Sequence, residues 1–180
     1  PKPEEAWRAV DGFTNHGAFI NEGNAPANSR SMACTAVRQI AGQDSWWRVD
    51  MGSNQRVESF AVTGISDGVE ESSKGWEARV GDWKDDGKAD AVCKSDVNAY
   101  RGTYWYACDK GSKQGRYFSL WKYNANMVIC EVQVYGDTQD LAFGKPAEQS
   151  SIKKLASGAA ASGKATRAVD GNTDGNYAHS

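Results

Sequence analysis

The sequence has little of several features on which common functions depend. It contains two histidines, His16 and His179, which lie far apart, and its four cysteines form no C-x-x-C pair. Structural zinc sites usually need closely spaced cysteine and histidine ligands, so such a site is disfavoured. No serine-based nucleophile motif occurs, and the cysteines are expected to be oxidised, which leaves no activated nucleophile. We therefore expect a protein that is not an enzyme.

Charge and apolar runs are also limited. The net charge is −2, lysine and arginine are scattered, and no apolar run approaches the length of a membrane span. Nucleic-acid binding needs clustered positive charge and a spanning helix needs about 20 apolar residues, so neither nucleic acid nor membrane insertion is expected. Residues Pro1 to Glu5 lack the basic and apolar parts of a signal peptide, so any such signal was removed or lies upstream.

What the chain does have is a repeat. Trp7 to Gly12 reads Trp-Arg-Ala-Val-Asp-Gly, and Thr166 to Gly171 reads Thr-Arg-Ala-Val-Asp-Gly. Asp11 and Asp170 are 159 positions apart. This period is too long for a solenoid and suits a whole β-sandwich domain, so the chain resembles a piece of a tandem array.

The repeat divides the chain into unequal parts. We predict a first domain over residues 1–136, a connector over 137–140 and the start of a second domain over 141–180. Only ten residues precede Asp11, whereas 29 separate Leu141 from Asp170. The first domain is therefore expected to lack an opening strand, and the second copy carries one over Leu141 to Ser151.

Hydrophobic patterning predicts an all-β fold. Short segments of period two are separated by Gly, Asn and Asp clusters, and no convincing helical period occurs, which favours a jelly-roll sandwich. The predicted strands are Trp46 to Met51, Arg56 to Thr63, Trp76 to Gly81, Tyr104 to Asp109, Arg116 to Trp121 and Met127 to Tyr135. Polar segments Phe13 to Met32, Trp83 to Tyr100 and Lys154 to Lys164 are predicted as loops.

The four cysteines indicate an extracellular protein. An even count in a chain with 19 Gly and 7 Trp suggests disulfides and secretion, although three connectivities are open. We favour a local bond between Cys93 and Cys108. Cys34 and Cys130 would then close a long loop, worth about 4 kcal/mol in the chain-entropy account.

Several motifs, taken in order, resemble the F-type lectins, or fucolectins. They are Arg-Ala-Val-Asp-Gly, Cys34-Thr35, Trp46 to Asp50, Trp76 to Gly81, Gly115 to Tyr117 and Ile129 to Gly136. The resemblance implies a discoidin-like β-jelly roll with long loops at one end, a bound calcium and a fucose-directed sugar site among those loops. The family's disulfide pattern joins Cys34 to Cys130 and Cys93 to Cys108.

The family's sugar site is a histidine after Cys-Thr, followed later by Arg-x-Asp-Cys-Cys-x-x-Arg. Here the corresponding positions hold Ala36, Ile65, Asp67 and Ser72, so only the aspartate is kept. Losing three donors at about 1–3 kcal/mol each would erase a modest monosaccharide affinity. We expect that this domain does not bind fucose in the family's usual way.

The implied calcium site is better preserved. Carried over by position, its ligands would be backbone carbonyls and two carboxylates, a set of hard oxygen donors. These residues are Arg8, Asp11, Phe13, Ala33, Cys130 and Glu131. At the Ala33 position the family often has serine, so one ligand would be lost or replaced by water. In the second copy Arg167, Asp170 and Asn172 occupy the first three places.

Other residues have an ordinary interpretation beside a functional one. His16, Arg38 and Arg79 are candidate substitute contacts for sugar, although a lone exposed histidine or a strand arginine more often has no such role. Trp46 and Trp47 resemble a sugar-stacking platform, yet neighbours on a strand face opposite ways, which favours packing. Glu70 and Glu71 resemble a pair of carboxylates for glycoside hydrolysis, but neighbouring side chains on a strand would again point to opposite faces.

Two functions are consistent with these observations. The first is a secreted, calcium-containing lectin that binds fucosylated glycans through several weak sites. The second is a structural or adhesive module that no longer binds sugar and assembles with neighbouring domains or chains. In a sharper form, the segment Leu141 to Ser151 completes a neighbouring chain's sheet and builds a homo-oligomer or polymer.

Overall fold

A computed structural model describes residues 35–64, 70–137, 139–151 and 165–171. Within these ranges the regular structure is β-strand and short 3₁₀ turn, as the sequence predicts. The strands are β1 Thr35–Val37, β2 Ser45–Val57, β3 Ser59–Thr63, β4 Trp76–Gly81, β5 Ala91–Val97, β6 Thr103–Ala107, β7 Lys113–Lys122, β8 Met127–Ile129, β9 Glu131–Tyr135 and β10 Ala147–Gln149. The 3₁₀ turns are Glu70–Ser73, Lys84–Gly87 and Ala165–Val169.

The strands form antiparallel sheets in a jelly-roll arrangement. One sheet has the order β10-β2-β7-β4-β5, a second has the order β6-β3-β9, and β1 pairs with β8. The core lies between the two larger sheets. Its largest buried side chains include Trp47, Trp76, Phe60, Phe118 and Leu120.

Strand β2 shows why the pattern of period two specifies this layer. Trp47, Val49 and Met51 are buried in the core, whereas the alternating Trp46 and Arg48 face away from it. Successive side chains on a strand point to opposite faces, so an alternating sequence gives the sheet one apolar and one polar face. The side chains of the two neighbouring tryptophans therefore lie on opposite faces of the sheet, as predicted.

Some predicted boundaries need correction. The segment 83–100, predicted as a loop, contains β5, which pairs only with β4 and buries little besides Cys93 and Val97. An edge strand of this kind has too few buried positions to show a period of two. Glu70 and Glu71 lie in a 3₁₀ turn rather than on a strand. The predicted strand Met127 to Tyr135 is divided at Cys130 into β8 and β9.

The local disulfide is confirmed. Cys93 and Cys108 are bonded and join β5 to the end of β6. Cys130 is also disulfide-bonded, while its predicted partner Cys34 lies outside the described residues. The described cysteines therefore include no free thiol.

Residues that the repeat assigns to the second copy pack into the same core as the first. Five of them are buried in it: Leu141, Ala142, Ala165, Ala168 and Val169. Strand β10 pairs with the edge of β2, with Glu148 opposite Arg48. It covers three of the eleven residues that the sequence predicts for this strand. In addition, the indole N–H of Trp47 donates to the carbonyl of Ala165 at 2.8 Å.

Asp140, at the end of the predicted connector, pairs with the end of β9. A carboxylate oxygen of Asp140 accepts hydrogen bonds from the backbone N–H groups of Val134 and Ala142, at 3.0 and 2.9 Å. Leu141 then donates its N–H to the carbonyl of Val134 at 2.6 Å. The sequence repeat and the packing unit therefore differ, because residues after 140 complete the core that residues before 137 begin.

Over the described ranges, no helix has the length and apolar character needed to cross a membrane.

Candidate functional site

A buried carboxylate lies where β9 meets the 3₁₀ turn of the second copy. Glu131 is the first residue of β9 and is 1% exposed. Its Oε1 accepts a hydrogen bond from the backbone N–H of Gly171 at 2.9 Å. Its Oε2 is buried and has no hydrogen-bond partner. A buried carboxylate oxygen without a donor is costly, so a cation, or a proton shared with Asp170, would stabilise it.

The electrostatics of Glu131 support this interpretation. Burial raises the pKa of Glu131 well above its usual range, and the nearby carboxyl groups of Asp170 and Asp140 raise it further, while the Gly171 hydrogen bond opposes the shift. Burial also raises the pKa of Asp140, although hydrogen bonds from the backbone N–H groups of Ala142, Val134 and Phe143 oppose the shift. Three acidic side chains thus contribute negative potential at one end of the sandwich. A cation there would relieve their mutual repulsion.

The donor set fits a hard cation that is also bound by backbone carbonyls. No group of three acidic, histidine or cysteine side chains close enough to share one metal occurs in the described part of the chain. Calcium takes six to eight oxygen ligands, and carbonyl oxygens are ordinary members of that set. Glu131 and Asp170 would supply the carboxylates, with the Cys130 carbonyl among the predicted neutral ligands. Of the other predicted ligands, Arg8, Asp11, Phe13 and Ala33 lie outside the described residues.

The partner of Glu131 in the structure comes from the second copy. Asp170 and Gly171 stand at the same places in their motif as Asp11 and Gly12 do in theirs. The repeat identified this Asp-Gly pair as chemically equivalent to the first. It did not indicate that the second pair lies against Glu131.

The predicted sugar positions are described only in part. Ala36 lies on β1 opposite Val128, and Ser72 lies in the turn Glu70–Ser73. Ile65 and Asp67 lie outside the described residues.

A buried lysine lies against the turn that contains Ser72. Lys122 is 7% exposed, and its Nζ donates to the carbonyls of Glu71 and Lys74, the latter at 2.7 Å. Burial lowers the pKa of Lys122. This ammonium group satisfies backbone acceptors, so it does not replace the donors that the family's site would use.

Two of the three candidate substitute contacts lie in the described part of the chain. His16 lies outside the described residues. Arg38 is exposed after β1, and its carbonyl accepts a hydrogen bond from Ser151. Arg79 is committed to its own chain, because its Nε donates to Glu77 at 2.6 Å and its Nη1 to the carbonyls of Lys88 and Asp90.

Sequence reasoning missed an aromatic cluster on the outer face of the five-stranded sheet. Trp83 folds across this face, with its ring centroid 4.9 Å from that of Trp46 and 5.7 Å from that of Trp121. Gly87 backs the indole, since a Cβ at that position would lie 2.6 Å from the Trp83 ring. The alternation in β2 was the available signal, because it places Trp46 and Arg48 on one face.

Beside these rings is a shallow pocket of about 70 Å³, which we call the Arg48 pocket. It is lined by Arg48, Asp50, Tyr117, Pro146 and Glu148. The Arg48 guanidinium lies 4.3 Å from the Trp83 ring centroid and 5.0 Å from that of Tyr117. Strands β2, β7 and β10 therefore supply its polar groups, and the loop after β4 supplies its aromatic neighbour.

Comparison with known proteins relates the chain to lectins. No protein-family profile matches it. It is 32% identical over 141 residues to a pentraxin fusion protein from Xenopus laevis, which covers 74% of this chain and 30% of that protein. It is 25% identical to an F-lectin (fucolectin) from striped bass serum, with a TM-score of 0.52 over 73% of this chain and 41% of that one. A Streptococcus pneumoniae fucose-binding module aligns at 19% identity and a TM-score of 0.43, over 57% of this chain and 69% of that one.

The chain spans less than half the length of the pentraxin fusion protein and of the striped-bass lectin. The similarity therefore concerns only part of each protein. The similarity to the striped-bass lectin includes both the sequence and the jelly-roll fold.

Proposed function

Since this chain is a member of the F-type lectin (fucolectin) family by its motif order and its fold, we propose that it is a non-catalytic carbohydrate-binding module acting outside the cell. The observation that carries the proposal is the likeness to the striped-bass serum lectin, in which both sequence and fold agree. The serum lectin to which the chain is similar and the Cys93–Cys108 disulfide both support an extracellular setting.

We further propose that the glycan is not held by the family's usual fucose site in this domain. Ala36, Ile65 and Ser72 lack the imidazole and guanidinium donors of that site. The nearby Lys122 does not compensate, because its ammonium group is bound to backbone carbonyls. Fucosylated glycans remain the first ligand class to test, since the family relation supports them.

Calcium is the proposed bound ion. Glu131 and Asp170 are the described carboxylates that would hold it, and calcium would neutralise a cluster that burial makes unfavourable. The ion would tie β9 to the Asp170–Gly171 turn and so would support the loops at that end of the sandwich. Its role in this proposal is structural.

An alternative function is favoured by the packing of residues 141–171. Leu141 and Val169, assigned to the second copy, lie in the core of the first. Successive domains of an array would then be joined through shared packing, which suits a structural or adhesive module. Strand exchange between chains would use the same pairing of β10 with β2, after β10 leaves its own sheet. A homo-oligomer or polymer remains a proposal on this basis.

A glycan-array measurement on the whole chain separates the two functions. The array should include fucosylated, galactose-terminated and N-acetylglucosamine-terminated glycans, each tested with calcium and then with chelator. Binding to a defined glycan class would support the lectin function, and its loss in chelator would link the ion to the sugar site. A folded protein that binds no glycan in either condition would overturn the lectin function and leave the structural module.

A further inference from the structure

We propose that the Arg48 pocket is the sugar-binding site of this domain and takes one uncharged monosaccharide at the end of a glycan. This inference rests on the proposed carbohydrate-binding function and names a site on the outer face of the five-stranded sheet. Of the family's sugar positions, Ala36 on β1 and Ser72 in the turn Glu70–Ser73 lie outside this sheet.

The first argument is the arrangement of donors and acceptors. Arg48 Nη2 donates to Glu148 Oε2 at 2.7 Å, and in the described structure this is the guanidinium's one hydrogen bond. Arg48 lines the pocket, and its remaining N–H groups are not among the buried polar atoms without partners in the described ranges. The Glu148 carboxylate is 65% exposed beside them and can accept further hydrogen bonds. A sugar hydroxyl both donates and accepts, so it suits such a pair.

The second argument is charge compensation. Arg48 is paired with Glu148, and Asp50 is paired with Arg116 through two hydrogen bonds of 2.8 and 2.7 Å. The hydroxyl group of Tyr117 lies beside Asp50. Hydrogen bonds from Arg116, and to a smaller extent from Tyr117, lower the pKa of Asp50. Two positive and two negative groups leave the pocket without net charge. An ionic ligand would have to break one of these pairs, whereas an uncharged polyol would not.

The third argument is preorganisation by aromatic rings. Arg48 lies between Trp83 and Tyr117, and Trp46 is 5.7 Å away on the same face. Although it is a long side chain, Arg48 is only 18% exposed. Holding it in one position lowers the entropy cost of binding. Tyr117 is the aromatic residue that lines the pocket, so its ring can contact the C–H groups of a pyranose. The small volume suits one edge of a sugar ring, with the rest of the glycan in solvent.

The test is an NMR titration of the full chain that follows tryptophan indole N–H and arginine Nε–H signals. The probes are L-fucose, D-galactose and N-acetyl-D-glucosamine, with D-glucuronate and D-glucosamine as charged controls. We expect at least one uncharged sugar to shift the signals of Arg48 and Trp83 with a millimolar Kd, typical of a single shallow site. Neither charged sugar should shift them as strongly.

Two variants locate the site. Arg48→Lys keeps the charge and the pairing with Glu148 but loses the planar set of donors, so we expect at least tenfold weaker binding. Tyr117→Phe removes one hydroxyl and should weaken binding several-fold with little change in Tm. The matched control is Arg56→Lys, also on β2 and paired with Glu58 at an exposed site, which should bind like the wild type.

The outcomes distinguish the site from the function. If a sugar binds and both variants bind it equally well, the site proposal is wrong while the lectin function stands. Signal changes confined to residues 70–74 or to Ala36 would have the same meaning. If no sugar shifts any signal of the folded wild type, both proposals are overturned.

Discussion

The backbone N–H of Gly171 donates a hydrogen bond of 2.9 Å to the Oε1 of Glu131, across 40 positions of sequence. Gly171 closes the motif of the second copy, and Glu131 follows the last cysteine of the first. The contact therefore joins two repeats at the carboxylate that the calcium hypothesis depends on. Substitution of Glu131 tests this hypothesis directly.

We expect Glu131→Gln to remove the response of stability to calcium. At a hundred times the Kd, a bound ion stabilises the wild type by about 2.7 kcal/mol, and a neutral amide should keep little of this gain. In chelator the variant should be at least as stable as the wild type, because the most deeply buried of the three carboxylates has been removed. Thermal unfolding in calcium and in chelator measures both effects. Glu58→Gln, at an exposed position, is the control, and an equal calcium response in all three proteins would contradict the site.

The second prediction concerns the contribution of the second copy to the core. Val169 is 2% exposed in the common core, so Val169→Ala should lower the free energy of unfolding by about 2 kcal/mol. Val92→Ala, at a 37% exposed position on β5, should change it by less than about 0.5 kcal/mol. Denaturant unfolding followed by tryptophan fluorescence gives both values. A main transition unaffected by Val169→Ala would mean that residues 165–171 do not belong to this core.

Lys122 is expected to stabilise the turn Glu70–Ser73. Lys122→Met should leave the carbonyls of Glu71 and Lys74 without their donor, at a cost of about 1–3 kcal/mol. Amide hydrogen exchange should accelerate in residues 70–74 more than elsewhere. Lys94→Met removes a surface pair with Asp109 and should cost at most about 1 kcal/mol. If amide hydrogen exchange in residues 70–74 is the same in Lys122→Met and Lys94→Met, Lys122 does not stabilise this turn.

The pair of Asp50 and Arg116 should make stability depend on acid pH. Hydrogen bonding to Arg116 is the main cause that lowers the pKa of Asp50 below its ordinary value of 3.8. The folded protein therefore holds the charged form more strongly than the unfolded chain does. The resulting stability is present above about pH 4 and is lost as the pH falls through the lowered pKa.

Asp50→Asn should accordingly lose at most about 1 kcal/mol at pH 7, since both side chains are partly exposed, and nothing at the acid end. Denaturant unfolding at several pH values between roughly 2.5 and 7, a range that spans an ordinary aspartate pKa, measures the difference. Asp137→Asn, at an exposed position, is the control. A deficit that is constant over this range would show that the pair is not its source.

Much of the fold could be predicted from local pattern. Strand β4 occurs over the predicted residues, and the opposite faces of Trp46 and Trp47 follow from alternation. The Cys93–Cys108 bond was favoured by its short separation of 15 positions. Strand β5 was missed because an edge strand with few buried residues resembles a polar loop. For the candidate sites, the sequence identified Glu131 and the Asp-Gly motif but did not indicate the Arg48 pocket.

The sequence by itself determined the all-β class and the motifs that resemble those of an F-type lectin, because each depends on residues that lie close together along the chain. Only the tertiary structure decided that Gly171 meets Glu131 and that Glu148 meets Arg48. The same Asp-Gly motif occurs twice, so local sequence does not distinguish which copy lies against Glu131. That choice depends on which segment buries Leu141 and Val169 in the shared core, and burial of apolar surface is a property of the whole packed chain.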